Sequence, residues 1–207
     1  MRINPVEILQ IVYCHQIFNN IQSFCLETTC FEPGILFNSV KFINLPASLL
    51  EIILKRDDLN LDEIEVWENL TKWGLVQEKT LNADISKWCQ EKFNILERIL
   101  HKFIPFVRFC YISSEDYFNK VRPYEKILSK ELREEILKFH MVPGYKPTLN
   151  NFSQRRYPNS VLINQKHIAI FTSWINQRVI GRYNFKLLYR ASIDGNTAAA
   201  FHQKCDN

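Results

Sequence analysis

Glycine is scarce in this chain, with 5 residues in 207, while phenylalanine alone contributes 15. So little glycine argues against a turn-rich β fold and leaves helices as the favoured element. Long apolar runs are missing as well: none approaches the roughly 18 residues of a membrane span, and a membrane-spanning helix is not expected. The opening Met1-Arg2-Ile3-Asn4 leads directly into an amphipathic segment, without the apolar block of a secretory leader. No CxxC pair occurs among Cys14, Cys25, Cys30, Cys89, Cys110 and Cys205. That absence speaks against a paired zinc or dithiol framework. Five of the six cysteines fall inside apolar helical patterns, so buried free thiols in a reducing compartment are expected, the cytoplasm first and the nucleus as the alternative. A Gly-rich phosphate loop, a GxSxG elbow and an HExxH helix are all lacking, which removes the enzyme classes that depend on them.

The residues present describe an ordinary globular chain. An apolar fraction of 46% with 23% charged residues supports a packed core rather than disorder. The net charge of +4 is spread thinly, with cations set among acids at Glu91, Lys92, Glu97, Arg98 and Lys102 and along Lys130 to Glu135. Such mixed runs read as solvated helix faces. The densest basic cluster, Gln154-Arg155-Arg156-Tyr157, is short and lies in a stretch that reads as a linker. Nucleic-acid binding, which needs basic residues gathered on one surface, is not expected.

Helical periodicity dominates the first two thirds. Pro5 suits a first turn ahead of Val6, Ile8, Leu9 and Val12, and Ile17 to Cys25 repeat at steps of three and four. Pro33-Gly34 interrupts the pattern, and Leu45-Pro46 opens a short apolar helix through Leu54. Asp62 and Glu65 have capping-box spacing before Ile64, Trp67, Leu70 and Trp73. One long helix is expected from about Ala83 to Phe103, carrying Ile85, Trp88, Cys89, Phe93, Leu96 and Leu100 on one face and ended by Pro105. Ser113 and Asp116 repeat the capping signature, and a last helix runs from Lys130 to Phe139 before Pro143-Gly144.

Val142 to Pro158, with its prolines and polar residues, marks the linker. After it come a candidate strand at Val161 to Ile163, a helix over His167 to Asn176, an imperfect strand over Tyr183 to Arg190, a turn at Asp194-Gly195 and a small helix from Ala198 to Cys205.

Two stretches carry a resemblance. Leu45-Pro46 through Lys55-Arg56-Asp57-Asp58-Leu59, with Glu65-Val66-Trp67-Glu68 and Lys72-Trp73-Gly74, resembles the BACK domain of BTB-containing proteins. Pro105 to Phe109 and Val121-Arg122-Pro123-Tyr124 fit the same pattern. From about Ser160, Trp174-Ile175, Phe185 to Arg190, Asp194-Gly195 and Phe201 to Asn207 resemble the opening of a TLDc domain. The combination is similar to BTB–BACK–TLDc proteins abundant in some fungi.

The resemblance implies a mainly α fold: an antiparallel helical-hairpin BACK domain over residues 1–142, a linker over 143–158, and a small incomplete α+β TLDc segment over 159–207. It also implies a non-enzymatic adaptor of cullin-based ubiquitin ligases, with a cullin, a BTB-containing relative or a recruited substrate as partner. The alternatives are a cullin-independent, stress-related TLDc binding protein and a non-functional truncated paralogue. On this resemblance the helices are expected to lack a preceding BTB domain, and the TLDc portion to stop before the strands that would complete its sandwich. Residues after about 158 are therefore expected to be marginally stable alone.

No residue is nominated as catalytic, cofactor-binding or metal-ligating, and no cofactor is expected. Lys55 to Asp58 reads as a helix end with cations near its last carbonyls, followed by acids entering the next helix. Trp67, Trp73 and Trp88 read as core; Trp174 is less constrained. His202 and Cys205 stand three apart, but zinc needs two further ligands and none is near in sequence. Cys14 and His15 are adjacent and diverge on a helix, and nothing places His101 or His140 beside a thiol.

Overall fold

The computed structural model describes residues 4–14, 19–82, 84–148, 155, 170–171, 174, 188–189 and 191–206. The described chain is mainly helical and contains no strand. It divides into two compact units, Met1–Arg155 and Arg156–Asn207, so the division falls inside the proline-containing stretch. The candidate strand at 161–163 lies outside the described residues, as do most of the helix expected over 167–176, most of the strand expected over 183–190, His15 and Ile17.

In the first unit, α1 (Pro5–Cys14) turns Val6, Leu9 and Val12 inward. It packs on α2 (Asn19–Phe31) and on the single turn α3 (Gly34–Phe37), so Pro33-Gly34 starts a helix as well as ending one. A 3-10 turn (Val40–Asn44) buries Phe42 and leads to α4 (Ala47–Leu54), whose Leu49, Leu50, Ile53 and Leu54 are all buried. Asn60 ties the α4–α5 connection back to α2, its backbone N–H meeting the Cys30 carbonyl at 2.8 Å and its side chain the Phe31 carbonyl at 3.0 Å.

Helix α5 (Glu63–Val76) is capped as its spacing predicts: Asp62 closes a capping box with Glu65, whose carboxylate accepts from the Asp62 N–H at 3.4 Å. It buries Val66, Trp67, Leu70, Trp73 and Gly74. The Trp73 indole donates to the Leu45 carbonyl at 2.9 Å, satisfying its one polar atom inside the core.

The long helix expected over Ala83 to Phe103 is broken. Ile85–Lys87 is a 3-10 turn, Trp88 is extended, and α6 covers only Gln90–Leu100. The Trp88 indole donates to the Asn82 side chain at 2.8 Å and the ring meets Phe93 edge-on at 5.1 Å. Anchoring that ring requires an extended backbone at Trp88, which helical periodicity cannot register. Helix α6 packs on α5, with Phe93, Leu96 and Leu100 buried.

After 3-10 turns at Ile104–Phe106 and Phe109–Tyr111, Ser113 caps a short turn α7 (Ser114–Asp116). It continues as a π-helical turn (Tyr117–Val121) and a 3-10 segment (Arg122–Ile127). Helix α8 (Lys130–Met141) begins on a Ser129 cap that accepts from the Leu132 N–H at 3.2 Å. It leads into a turn with Pro143 and Gly144 at its centre, closed by a 3.2 Å bond from the Tyr145 N–H to the Val142 carbonyl, with Gly144 at φ 77°. That is type II geometry, and positive φ is why glycine occupies the site. Glu135, expected on a solvated face, is instead buried, and its carboxylate accepts from Thr148 through backbone N–H and hydroxyl.

One apolar core runs from Val6 to Ile136. Trp67, Trp73 and Trp88 belong to it. The cysteines do not behave alike: Cys30 is buried, Cys14 and Cys89 are exposed, and Cys25, Cys110 and Cys205 lie between. The expectation that the thiols in apolar helical patterns are buried is met fully at Cys30 alone. Apolar spacing counts cysteine as core-forming, but Cys89 serves as the exposed N-cap of α6.

In the second unit, described helices are α9 (Ala191–Asp194) and α10 (Ala198–Cys205). Gly195 between them takes φ 91°, as the Asp-Gly turn signal requires, and Thr197 caps α10 through the Ala200 N–H at 3.2 Å. No helix among the described residues is long and apolar enough to cross a membrane.

Candidate interaction surface

The face of α5 beside its buried stripe forms one wall of an open groove. Thr71, Leu75 and Val76 line it from α5, Leu81 and Ile85 from the connection to α6, and Lys120, Pro123 and Tyr124 from the π and 3-10 segments. Its volume is about 580 Å³. Large side chains fill the contact between α5 and the 117–127 segment beneath the groove. Trp67 sits between them, its indole donating to the Lys120 carbonyl at 3.3 Å and its ring edge-on to Phe109 at 5.2 Å and to Tyr124 at 5.9 Å. Tyr124 in turn meets Trp88 at 6.3 Å, so the floor rests on a continuous aromatic chain.

Polar groups around the groove are committed in part. The Thr71 hydroxyl donates back to the Trp67 and Glu68 carbonyls, at 3.0 and 2.9 Å. Lys120 pairs with Asp116 at 3.2 Å and with Glu68 at 3.4 Å, and the Asp116 bond above all raises its pKa. Lys72 is exposed on the rim, and Val76 is 51% exposed. Periodicity missed this site because its lining comes from three segments. The sequence signal available was the apolar pair Leu75-Val76 continuing past the core stripe of α5.

A second constellation lies at the opposite end of α5. Glu63 is buried, and its carboxylate accepts from the Arg108 backbone N–H at 3.1 Å and from Arg155 Nε at 2.7 Å. Arg108 is also buried; its guanidinium pairs with Asp57 and lies 3.9 Å from Glu63. Arg155 is 1% exposed and, besides Glu63, donates to the carbonyls of Leu54, Arg56 and Phe106. Lys55 and Arg56 stand at the end of α4 with Asp57 and Asp58 following. Lys55 pairs with Glu51 at 2.6 Å and Arg56 with Asp58 at 2.6 Å, while Arg155, from the stretch that reads as a linker, brings a further cation to this helix end. Spacing along a helix cannot reveal a capping side chain a hundred positions away.

Thiols in this region are held protonated. Burial, reinforced by the Asp58 charge, pushes the Cys30 thiol up to about 12, and burial pushes Cys110 up to about 11. No described group of three or more His, Cys, Asp or Glu side chains could hold a metal ion. His202 pairs with Asp206 at 2.7 Å rather than with Cys205.

Comparison with protein-family models, with curated proteins and with solved structures found no match in any of the three.

Proposed function

We propose that this chain is a protein-interaction scaffold of the BACK–TLDc adaptor kind, with antiparallel helical hairpins presenting a binding groove and a TLDc-like segment following them. The groove between α5 and residues 117–124 carries the reading: it is partly apolar, backed by buried aromatics, and opens to solvent through Leu75, Val76 and Lys72. Partner segments that bind such grooves insert a few apolar anchors against a rigid floor. In this reading the partner is a cullin, a BTB-containing relative or a substrate delivered to the ligase. A TLDc-type stress-related role independent of cullins is the alternative outcome of the same test.

The test is pull-down of a purified cullin N-terminal region, and separately of a BTB-containing relative, by the tagged full chain and by Val76→Asp. Retention by the native chain and loss with Val76→Asp supports the adaptor reading. Failure of both proteins to bind overturns it, and recovery of proton-pump subunits from extract would favour the TLDc alternative.

A further inference from the structure

The surroundings of Arg155 amount to a built receptor for its side chain. Four acceptors from three separate segments converge on one guanidinium: the Glu63 carboxylate at 2.7 Å, the Leu54 and Phe106 carbonyls at 3.1 Å each, and the Arg56 carbonyl. The Leu54 carbonyl is at the last residue of α4, where backbone acceptors lack helical partners and the helix dipole is negative, and the Arg56 carbonyl follows just past the C-cap Lys55. The buried Glu63 carboxylate faces the guanidinium groups of both Arg108 and Arg155. The acceptors are divided among the three guanidinium nitrogens, one meeting Nε, two meeting Nη1 and one meeting Nη2. A planar fork with five N–H groups matches that layout, whereas an ammonium concentrates three donors at one point.

We infer that this socket is a guanidinium-selective binding site, filled by Arg155 as an intramolecular ligand, and that it takes a monosubstituted guanidinium such as an arginine side chain when Arg155 is withdrawn. Arg155 immediately precedes the second unit, so the site's occupant lies at the boundary of the two units in sequence. The chain linkage gives Arg155 an effective concentration on the order of millimolar, and a free ligand must compete in that range.

The experiment is thermal unfolding of the full chain and its Arg155→Ala variant, each titrated with ethylguanidinium, with ethylammonium and sodium chloride as controls, over roughly 1–20 mM. Arg155→Ala is expected to melt lower than the native chain and to regain at least half of the lost melting temperature, saturably, with ethylguanidinium alone. The native chain, its site already filled by Arg155, is expected to respond less than the variant at every ligand concentration. Equal recovery with ethylammonium would overturn guanidinium selectivity, and no recovery with either would overturn the site. Should Arg155→Ala be obtained unfolded, refolding yield with ethylguanidinium against ethylammonium is read in the same way. Arg155→Lys is expected to fall short of the native melting temperature, because it restores the charge without the fork.

Discussion

Gly74 offers a direct contest between helix propensity and packing. It lies in the last turns of α5, where alanine would ordinarily favour the helix by about 1 kcal/mol. A Cβ at this position would stand 2.7 Å from Leu100 Cδ2 and 3.2 Å from both Leu100 Cγ and Leu96 Cδ1. Leu96 and Leu100 are each 0% exposed, so neither can swing aside into solvent. The approach to Leu100 Cγ also means that rotating the terminal methyls does not clear the clash. Overpacking of this kind costs about 1–3 kcal/mol. With the branch atom blocked, the upper half of that range applies, leaving Gly74→Ala destabilised by about 1–2 kcal/mol. Urea unfolding followed by tryptophan fluorescence is the assay. At a slope of about 2 kcal/mol/M the midpoint should fall by roughly 0.5–1 M. The Gly74→Ala/Leu100→Ala pair should be less destabilised than the sum of the two single changes, by about 1 kcal/mol. An unchanged or higher midpoint for Gly74→Ala would refute the reasoning and show that α5 and α6 separate at no cost.

Thiol labelling should follow burial: Cys14 and Cys89 react first in the native chain and Cys30 only on unfolding. Equal rates measured by mass spectrometry would contradict the placement of α2. Because the folded Cys30 thiol titrates near 12, against an ordinary value near 9, the unfolded chain loses that proton first. Its contribution to stability is therefore present below about pH 9 and declines as pH rises towards 12, a slope that Cys30→Ala should flatten. His140 has the opposite sign. Desolvation lowers its pKa below the usual 6.5, so stability should fall as pH drops below that value, and His140→Gln should reduce the dependence. Ser129→Ala removes the cap of α8 and should cost about 1 kcal/mol, read as a lower melting temperature; an unchanged value would mean that another group satisfies the Leu132 N–H.

Several features were decided by sequence alone. Asp62 and Glu65 mark the start of α5, and Trp67, Leu70 and Trp73 define its buried face, because capping and a 3.6-residue period act within one helix. Pro143-Gly144 stops α8 and Asp194-Gly195 turns before α10 for equally local reasons, a fixed φ and a positive one. The other features belong to tertiary structure. Trp88 breaks the expected helix because its ring is held by Phe93, Tyr124 and Asn82. Glu135 turns inward to Thr148, and Glu63 collects two arginines from positions 108 and 155. Charge in a local pattern reads as solvated, since burying an ion is costly unless partners converge on it. Those partners come from segments far apart in the chain, so only the folded arrangement shows that the cost is met. The groove has the same origin, its walls supplied by α5, the 81–85 connection and the π turn, which no single periodicity relates to one another.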